Sequence, residues 1–159
     1  MLERIGNIWD HHAEGGWIVI TTNIGWKKDG SNPMGAGIAK AAAEKYPNLP
    51  VWYGKFCQKY GADMAVRPYA EGRLFLFPTK PLAEQPWLSW KNDACLDLIR
   101  RSALQLSTLI DILGREVYIK PVGVPMVGCQ NGHLRPKQVL PILRRYLDDR
   151  FVLFESKNS

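Results

Sequence analysis

Short apolar runs recur along the chain and are separated by segments with helical spacing. Runs at residues 17–22, 73–77 and 151–154 are rich in β-branched and aromatic side chains, which predicts buried strands, and residues 3–8 form a candidate first strand. A further strand is predicted to open at 117–119 and to extend toward Val124. Helices are predicted at 37–46, 51–60, 92–113 and 136–147.

The segment 92–113 has the clearest helical pattern, because its apolar side chains recur every three or four positions and share one face. That face consists of Cys95, Ile99, Ala103, Leu106, Ile110 and Leu113. Gly61 and Gly114 lie where two of the helices are predicted to end. Pro136 suits the first turn of the last helix, whereas Pro141 either kinks that helix or marks its true start.

Alternating strands and helices predict an α/β protein with a largely parallel or mixed sheet between helices. No linker or internal repeat interrupts the pattern, so we expect one domain over residues 1–159. In such sheets ligands bind in loops beyond the carboxyl ends of the strands. Two glycine-containing loops, 23–37 and 128–134, fit that location.

Composition narrows the classes of partner. The formal net charge of +6 and the pI of about 9.3 favour phosphates, nucleotides or nucleic acids. No apolar run approaches the ~18 residues of a membrane span, and the charged N-terminus is unlike a signal peptide. Cys57, Cys95 and Cys129 show no metal-ligand spacing, which predicts a cytoplasmic protein without a metal or a cofactor.

The first loop follows a buried strand and precedes an alanine-rich helix. Gly30 and Gly35 have the spacing of a Walker A loop, but Ala36 and Gly37 stand where that motif needs Lys and Ser or Thr. A dinucleotide fingerprint fails as well, because Lys40 occupies the position of its third small residue. What remains is a helix N-terminus with glycines that let an anion approach the backbone, or simply a flexible helix start.

The second loop, "VGCQNGHL", lies between a predicted strand and a predicted helix. Its Asn131-Gly132 dipeptide is typical of a turn. An ordinary strand-to-helix turn explains this loop by itself. Two glycine loops at one edge of a sheet, however, would suit the two adjacent charges of a diphosphate.

These motifs together resemble a macro domain, the ADP-ribose-binding family with a three-layer α/β/α fold and a central mixed sheet. The resemblance rests on "GNIWD", on "TTNIG" with "PMGAGIAKAAAEKYPNLP", and on "VPMVGCQNGHLRPKQVLPILRRYLDDRFVLFE". It runs from about Gly6 to Glu155 and is greatest with stand-alone bacterial and phage macro domains and with antitoxins that remove ADP-ribose from DNA.

The resemblance implies a role for each part of the cleft. Asn7 and Ile8 are expected at the adenine, Asn23 at the distal ribose, and the two glycine loops on either side of the diphosphate. The implied ligand-binding residues are Asn7, Ile8, Asn23, Gly35, Ala36, Gly37, Ile38, Gly128, Cys129, Gln130, Asn131, Gly132 and His133. The partners implied are ADP-ribose or an ADP-ribosylated macromolecule, which includes a nucleic acid, and the protein is expected to be a monomer.

Several positions depart from the family pattern. Asn7 stands where the family usually has Asp, and Gln130 and His133 stand where it often has Gly. The polar insert at 26–33 is longer than in compact antitoxin relatives, which predicts a flap over the distal ribose. Glutamate-directed hydrolases of the family use an Asp where this chain has Gly132, so a lysine-based mechanism here lacks its usual acid–base partner.

Lys80 and Asn23 are the candidate catalytic residues. By resemblance, Lys80 matches a functional lysine of the DNA-directed and glutamate-directed hydrolases, where it binds the leaving group or acts as a nucleophile. A surface lysine that pairs with phosphate or solvent is the alternative. No carboxylate is clearly placed near the site in the sequence, although Asp29 on the insert is a candidate, and His11 and His12 are expected to be exposed in a loop.

Two functions of different classes follow. The first is a hydrolase that removes ADP-ribose from a nucleic acid or a protein, or phosphate from ADP-ribose 1″-phosphate. The second is a module that binds ADP-ribose or a related nucleotide without turnover. A simple nucleic-acid binder that uses the positive charge is a third, weaker hypothesis.

Overall fold

The structure, a computed structural model, describes residues 1–114 and 119–156. Within these ranges the strands form a six-stranded sheet in the order β1-β6-β5-β2-β4-β3. The strands are β1 (Leu2–Ile5), β2 (Ile18–Asn23), β3 (Arg67–Tyr69), β4 (Leu74–Lys80), β5 (Val122–Val124) and β6 (Phe151–Glu155). Only the β3–β4 pair is antiparallel among these strands, so the sheet is mixed, as predicted.

Five α-helices of the described ranges cover the two faces of the sheet. They are α1 (Ile8–Ala13), α2 (Gly37–Lys45), α3 (Leu49–Tyr60), α4 (Leu96–Leu113) and α5 (Pro136–Tyr146). Apolar residues of α4 and α5 pack on one face of the sheet, and those of α1, α2 and α3 pack on the other. The predicted three-layer α/β/α fold is therefore confirmed.

The central strand β2 explains why the apolar runs in the sequence are continuous. Val19 faces the α4–α5 core, whereas Ile18 and Ile20 face the α1–α3 core, and all three are fully buried. A parallel strand covered on both faces has no solvent side and needs no polar alternation. The polar residues Thr21 to Asn23 end this strand at the edge of the sheet where the loops 23–37 and 128–134 lie.

The N-terminal prediction was wrong in two respects. The first strand ends at Ile5, and a short helix begins at Ile8 because the Asn7 side chain accepts a hydrogen bond from Trp9 N–H as its N-cap. His11 and His12 lie on this helix and are buried. Each ring donates from Nε2 to a backbone carbonyl, of Pro121 and Gly72 respectively, at 2.7 Å.

Strand β4 extends past the predicted end at Phe77 and reaches Lys80. Pro78 has no backbone N–H to donate to a neighbouring strand. It is tolerated because β3 pairs only with Leu74 to Leu76, so the β3 side of β4 has no partner strand at Pro78. The edge strand β3 was not predicted, since Pro68 lies at its centre. The predicted strand start at 117–119 lies partly outside the described residues.

Two helix starts also differ from the prediction. Helix α3 begins at Leu49, with Pro50 in its first turn. Helix α4 begins at Leu96 and not at 92, because the preceding N–H groups bond to other parts of the chain. Helix α5 runs through Pro141 from Pro136, so Pro141 does not mark its start. None of the described helices combines the length and apolarity that a membrane span requires.

The buried His12 predicts acid sensitivity of the fold. Burial lowers the pKa of His12, and the neighbouring Arg73 and Lys45 lower it further, against the hydrogen bond to Gly72. The unfolded chain, with an ordinary histidine pKa of about 6.5, then binds a proton that the folded state excludes. The free energy of unfolding should therefore be undiminished above about pH 6.5 and should decrease as the pH falls from there toward the lowered pKa.

Urea unfolding of the wild type and of His12→Gln at pH 7.5 and pH 5.5 measures this effect. Gln keeps an N–H that can donate to Gly72 O, but it does not titrate. We expect the stability difference between the two pH values to be smaller in the variant. An equal difference in both proteins would contradict the assignment to His12.

Candidate functional site

A large cleft opens at the carboxyl ends of the parallel strands. Its volume is about 1890 Å³, and it runs from the ends of β1 and β6 across β5 and β2 to the end of β4. This is the edge at which ligands bind in open α/β sheets. The floor includes Thr22 and Asn23 from β2 and Thr79 and Lys80 from β4.

The structure brings every predicted site residue to this cleft. The cleft-lining set includes Asn7, Ile8, Asn23, Gly35, Ala36, Gly37, Ile38, Lys80, Gly128, Cys129, Gln130, Asn131, Gly132 and His133. Sequence reasoning missed a third wall formed by the 3₁₀ helix Pro86–Lys91, from which Trp90 and Lys91 line the cleft. The only sequence signal there was an aromatic residue beside a lysine, which is too common to be specific.

Asn23 is buried at the inner end of the first loop and organises it. Its Nδ2 donates to Pro33 O at 2.7 Å, and its Oδ1 accepts from Gly25 N at 3.0 Å and from Asn32 Nδ2 at 3.0 Å. Both lone pairs of Oδ1 are thus in use, whereas Nδ2 has a second hydrogen. In this conformation Asn23 can offer a sugar hydroxyl one N–H, and its predicted contact with the ribose stays a prediction.

The start of α2 is open to an anion. The N-cap residue Ala36 has no side chain that could bond to the first free N–H groups of the helix. Gly37 adopts φ +58°, a left-handed conformation that favours glycine. Gly35 is exposed, and no other atom lies within 4 Å of where its Cβ would be. Backbone donors and the helix dipole therefore face the cleft without competition from side chains.

The second loop is shaped by two residues with positive φ. Gly128 has φ +75° and His133 has φ +63°, and the loop is closed by a hydrogen bond from Leu134 N–H to Gly128 O at 2.9 Å. Gly132 is buried, and a Cβ there would lie 2.5 Å from Gly128 O and 2.6 Å from Ala94 Cβ. The loop is therefore a tight turn that only glycine can complete at position 132.

The two loops approach each other across the cleft. A Cβ at Gly37 would lie 3.1 Å from Nδ2 of Asn131, so the start of α2 and the tip of the second loop are nearly in contact. Helix starts and tight glycine turns are both places where backbone N–H groups bind phosphate. The cleft therefore contains two such elements, one from each loop.

The polar insert 26–33 is not a free flap. Asn32 N–H donates to Pro50 O at 2.9 Å, and Asn32 Nδ2 donates to Gly25 O at 2.8 Å. The insert lies against α3 at Gly54, where a Cβ would clash with Gly30 O at 2.0 Å. Asp29 is exposed, and its carboxylate accepts hydrogen bonds from the backbone N–H and the hydroxyl of Ser31, which lower the pKa of Asp29. Its side chain is therefore bonded within its own loop. The candidate role of Asp29 near the site is not supported by this geometry.

Lys80 lies at the end of the cleft next to the 3₁₀ helix Pro86–Lys91. Its Nζ donates to Trp90 O at 2.8 Å. Burial lowers the pKa of Lys80, and the negative charge of Asp93 opposes that shift. A lysine in such a position retains a proton-donating role and loses that proton more readily than a surface lysine.

Asp93 is the carboxylate near the site that sequence reasoning missed. Its Oδ1 lies 2.7 Å from His133 Nδ1. Asn92 and Asp93 were expected to begin the long helix, and the contact with His133 spans 40 residues of sequence. No local pattern could have revealed it.

No metal site is apparent in residues 1–114 and 119–156, where no three His, Cys, Asp or Glu residues cluster. Burial raises the pKa of the Cys129 thiol, so Cys129 is a small loop residue and not a reactive thiolate. Cys57 is fully buried, and this burial raises the pKa of its thiol to about 12, so it is a core residue and not a reactive thiolate.

Comparison with solved structures identifies the architecture. The macrodomain of Thermus aquaticus DarG matches with a TM-score of 0.68 and 21% identity over 96% of both chains. The macrodomain of Mycobacterium tuberculosis DarG matches with a TM-score of 0.61 and 24% identity over 86% of both chains. The chain has the macrodomain fold. The resemblance stated from the sequence is thus confirmed for the fold.

A third solved structure that matches contains a bound ligand. Thermosipho africanus DarTG in complex with ADP-ribose matches with a TM-score of 0.71 and 20% identity over 98% of this chain. The match covers 42% of that chain, so the present protein corresponds to less than half of it. No protein-family model and no curated protein sequence matches this chain.

Proposed function

We propose that the protein binds ADP-ribose in the cleft and hydrolyses an ADP-ribosyl linkage on a nucleic acid or a protein. The observation that carries the proposal is that one cleft contains two backbone cradles, at the start of α2 (Gly37) and in the second loop (Asn131), together with a partly buried lysine, Lys80. A diphosphate between the cradles would place one nucleoside toward Asn7 and Ile8 and the other ribose toward Asn23 and Lys80.

The dimensions of the cleft support a dinucleotide-sized ligand. It extends from Ile5 and Phe154 at one end to Lys80 and Trp90 at the other, and both loops lie between them. The apolar side chains of Ile8 and Phe154 at the far end suit a base. The complex of Thermosipho africanus DarTG with ADP-ribose supports this ligand for the same fold.

Chemistry at the distal ribose is the finer part of the proposal. Lys80 would act on the leaving group of the glycosidic bond, because it is a cation at the ribose end whose surroundings favour loss of a proton. ADP-ribose 1″-phosphate, in which the distal ribose carries a further phosphate, is a second candidate substrate. We also infer that residues 1–159 form one domain that acts as a monomer in the cytoplasm.

A binding module without turnover is the second candidate. It is favoured by the internal hydrogen bonds of Asn23 and by the bond from Lys80 Nζ to Trp90 O, which engage both candidate catalytic side chains. Turnover assays on ADP-ribosylated single-stranded DNA, ADP-ribosylated protein and ADP-ribose 1″-phosphate separate the two. Free ADP-ribose or phosphate as a product supports the hydrolase, and binding without product supports the module.

Calorimetric titration with ADP-ribose tests the ligand itself. We expect a micromolar Kd for ADP-ribose and weaker binding of AMP, since AMP fills only one of the two cradles and lacks the distal ribose. The affinity should depend only modestly on salt, whereas a simple nucleic-acid binder would show steeply salt-dependent affinity for unmodified DNA. No heat with millimolar ADP-ribose would contradict the proposed ligand.

A further inference from the structure

His133 lines the cleft, and its ring contacts Asp93, a carboxylate whose charge also acts on Lys80. The carboxylate oxygen Oδ1 of Asp93 is 2.7 Å from Nδ1 of His133, and both side chains are largely exposed. A carboxylate can only accept, so Nδ1 carries the hydrogen and the lone pair of a neutral ring is on Nε2. Within the described residues no hydrogen bond engages Nε2.

The backbone holds this pair in place. Ala94 N–H donates to Gly132 O at 3.0 Å, and Cys95 N–H donates to Thr79 O at 2.9 Å. The segment that carries Asp93 is therefore joined both to the residue before His133 and to the residue before Lys80. The charge of Asp93 acts on both the histidine and the lysine.

His133 is held in a conformation that is unfavourable for a residue with a Cβ. Its φ of +63° is in the left-handed region, where glycine is preferred. The hydrogen bond from His133 N–H to Gln130 O and the contact with Asp93 keep the residue there. Strain of this kind is retained most often at sites where the side chain has a function.

We propose that His133 is the general base of the hydrolysis and that Asp93 positions its ring. This inference rests on the proposed hydrolase function. His133 is then the acid–base partner of Lys80, a role that Gly132 cannot fill because glycine has no side chain that takes up a proton.

In the proposed step a water molecule attacks the distal ribose, and His133 and Lys80 transfer the protons. His133 Nε2 takes a proton from a water molecule, and the water oxygen forms a bond to the anomeric carbon of the distal ribose. The glycosidic bond breaks with its electron pair on the leaving group, which takes a proton from the Lys80 ammonium. The products are ADP-ribose and the unmodified macromolecule, and exchange with solvent returns one proton to Lys80 and removes one from His133.

Substitution of His133 by glycine tests the base without threatening the fold, because glycine suits the observed φ. We expect kcat of His133→Gly for release of ADP-ribose to fall by about 10²-fold, within the usual range for a general base. The Kd for ADP-ribose should stay nearly unchanged. Free imidazole should restore part of kcat, since the side chain that it replaces is exposed.

Asp93→Asn tests the positioning residue. Asn can turn its N–H toward the ring and favour the tautomer with the hydrogen on Nε2, so kcat should fall while KM is little changed. Asp97→Asn is the matched control, because Asp97 is an exposed carboxylate that pairs with Arg100 on α4 outside the cleft. Its kcat should equal that of the wild type.

The outcomes separate this inference from the proposed function. If Lys80→Ala abolishes turnover while His133→Gly keeps the wild-type kcat, only the role of His133 is overturned. A rise in KM or Kd in His133→Gly with kcat intact would make His133 a ligand contact and overturn the inference as well. A wild type that binds ADP-ribose but hydrolyses none of the substrates overturns the hydrolase and the base together.

Discussion

Lys80→Ala is expected to reduce kcat for ADP-ribose release by about 10²–10⁴-fold, the usual contribution of a group that transfers a proton in the transition state. The variant removes the partly buried cation next to the predicted distal ribose. Lys80 is the last residue of β4, and its side chain makes one hydrogen bond, to Trp90 O. The fold should therefore survive, and the Kd for ADP-ribose should change by less than about tenfold.

Lys80→Arg separates proton transfer from charge. Arginine keeps the positive charge and can donate to Trp90 O, but it does not lose its proton in proteins. We expect this variant to be nearly as inactive as Lys80→Ala. A wild-type kcat in Lys80→Arg would show that only the charge matters, and a wild-type kcat in Lys80→Ala would contradict any catalytic role. Lys55→Ala, an exposed lysine on α3 outside the cleft, is the matched control.

The pH dependence of kcat gives a further check on Lys80. Burial lowers its pKa, so the protonated form is lost at a lower pH than for a surface lysine. An acid that must carry a proton then loses activity as the pH rises through that lowered pKa. The alkaline decline of kcat should be absent from the residual activity of Lys80→Ala.

The sheet and the two ligand loops could be predicted from the sequence because their signals are local. Strand β2 is a continuous apolar run that ends in Thr and Asn, and Gly35, Gly37, Gly128 and Gly132 mark the loops. Parallel strands place their carboxyl ends at one edge, so the meeting of both loops followed from the α/β pattern. The cleft lined by all the predicted residues agrees with that reasoning.

The features that were missed depend on contacts between distant residues. His11 and His12 look like loop residues until the carbonyl oxygens of Pro121 and Gly72 are seen to accept from their rings. Helix α4 starts late because Ala94 and Cys95 donate to Gly132 and Thr79. Neither feature leaves a local sequence pattern, because hydrogen bonds to distant residues override the helix propensity of the residues near a helix end.

Gly132→Ala is expected to disrupt the second loop and with it the binding of ADP-ribose. The added Cβ would meet the carbonyl oxygen of Gly128 at 2.5 Å and Ala94 Cβ at 2.6 Å. The first of these is backbone, so the loop must move, and overpacking of this kind typically costs about 1–3 kcal/mol of stability. The Kd should rise by at least about tenfold, or ~1.4 kcal/mol, because the displaced amides no longer face the diphosphate.

Gly72→Ala is the matched control outside the cleft. Gly72 is buried, and its Cβ would lie 3.0 Å from the rings of Tyr46 and Tyr69, so this variant should lose stability while its Kd for ADP-ribose stays that of the wild type. Calorimetry with ADP-ribose and thermal unfolding of both variants measure the contrast. Equal Kd values for Gly132→Ala and the wild type would show that the second loop does not bind the diphosphate. The same clash limits the choice of catalytic residues. The Cβ of an Asp at position 132 would meet Gly128 O just as that of Ala does. The acid–base partner of Lys80 must therefore come from another position in this loop geometry.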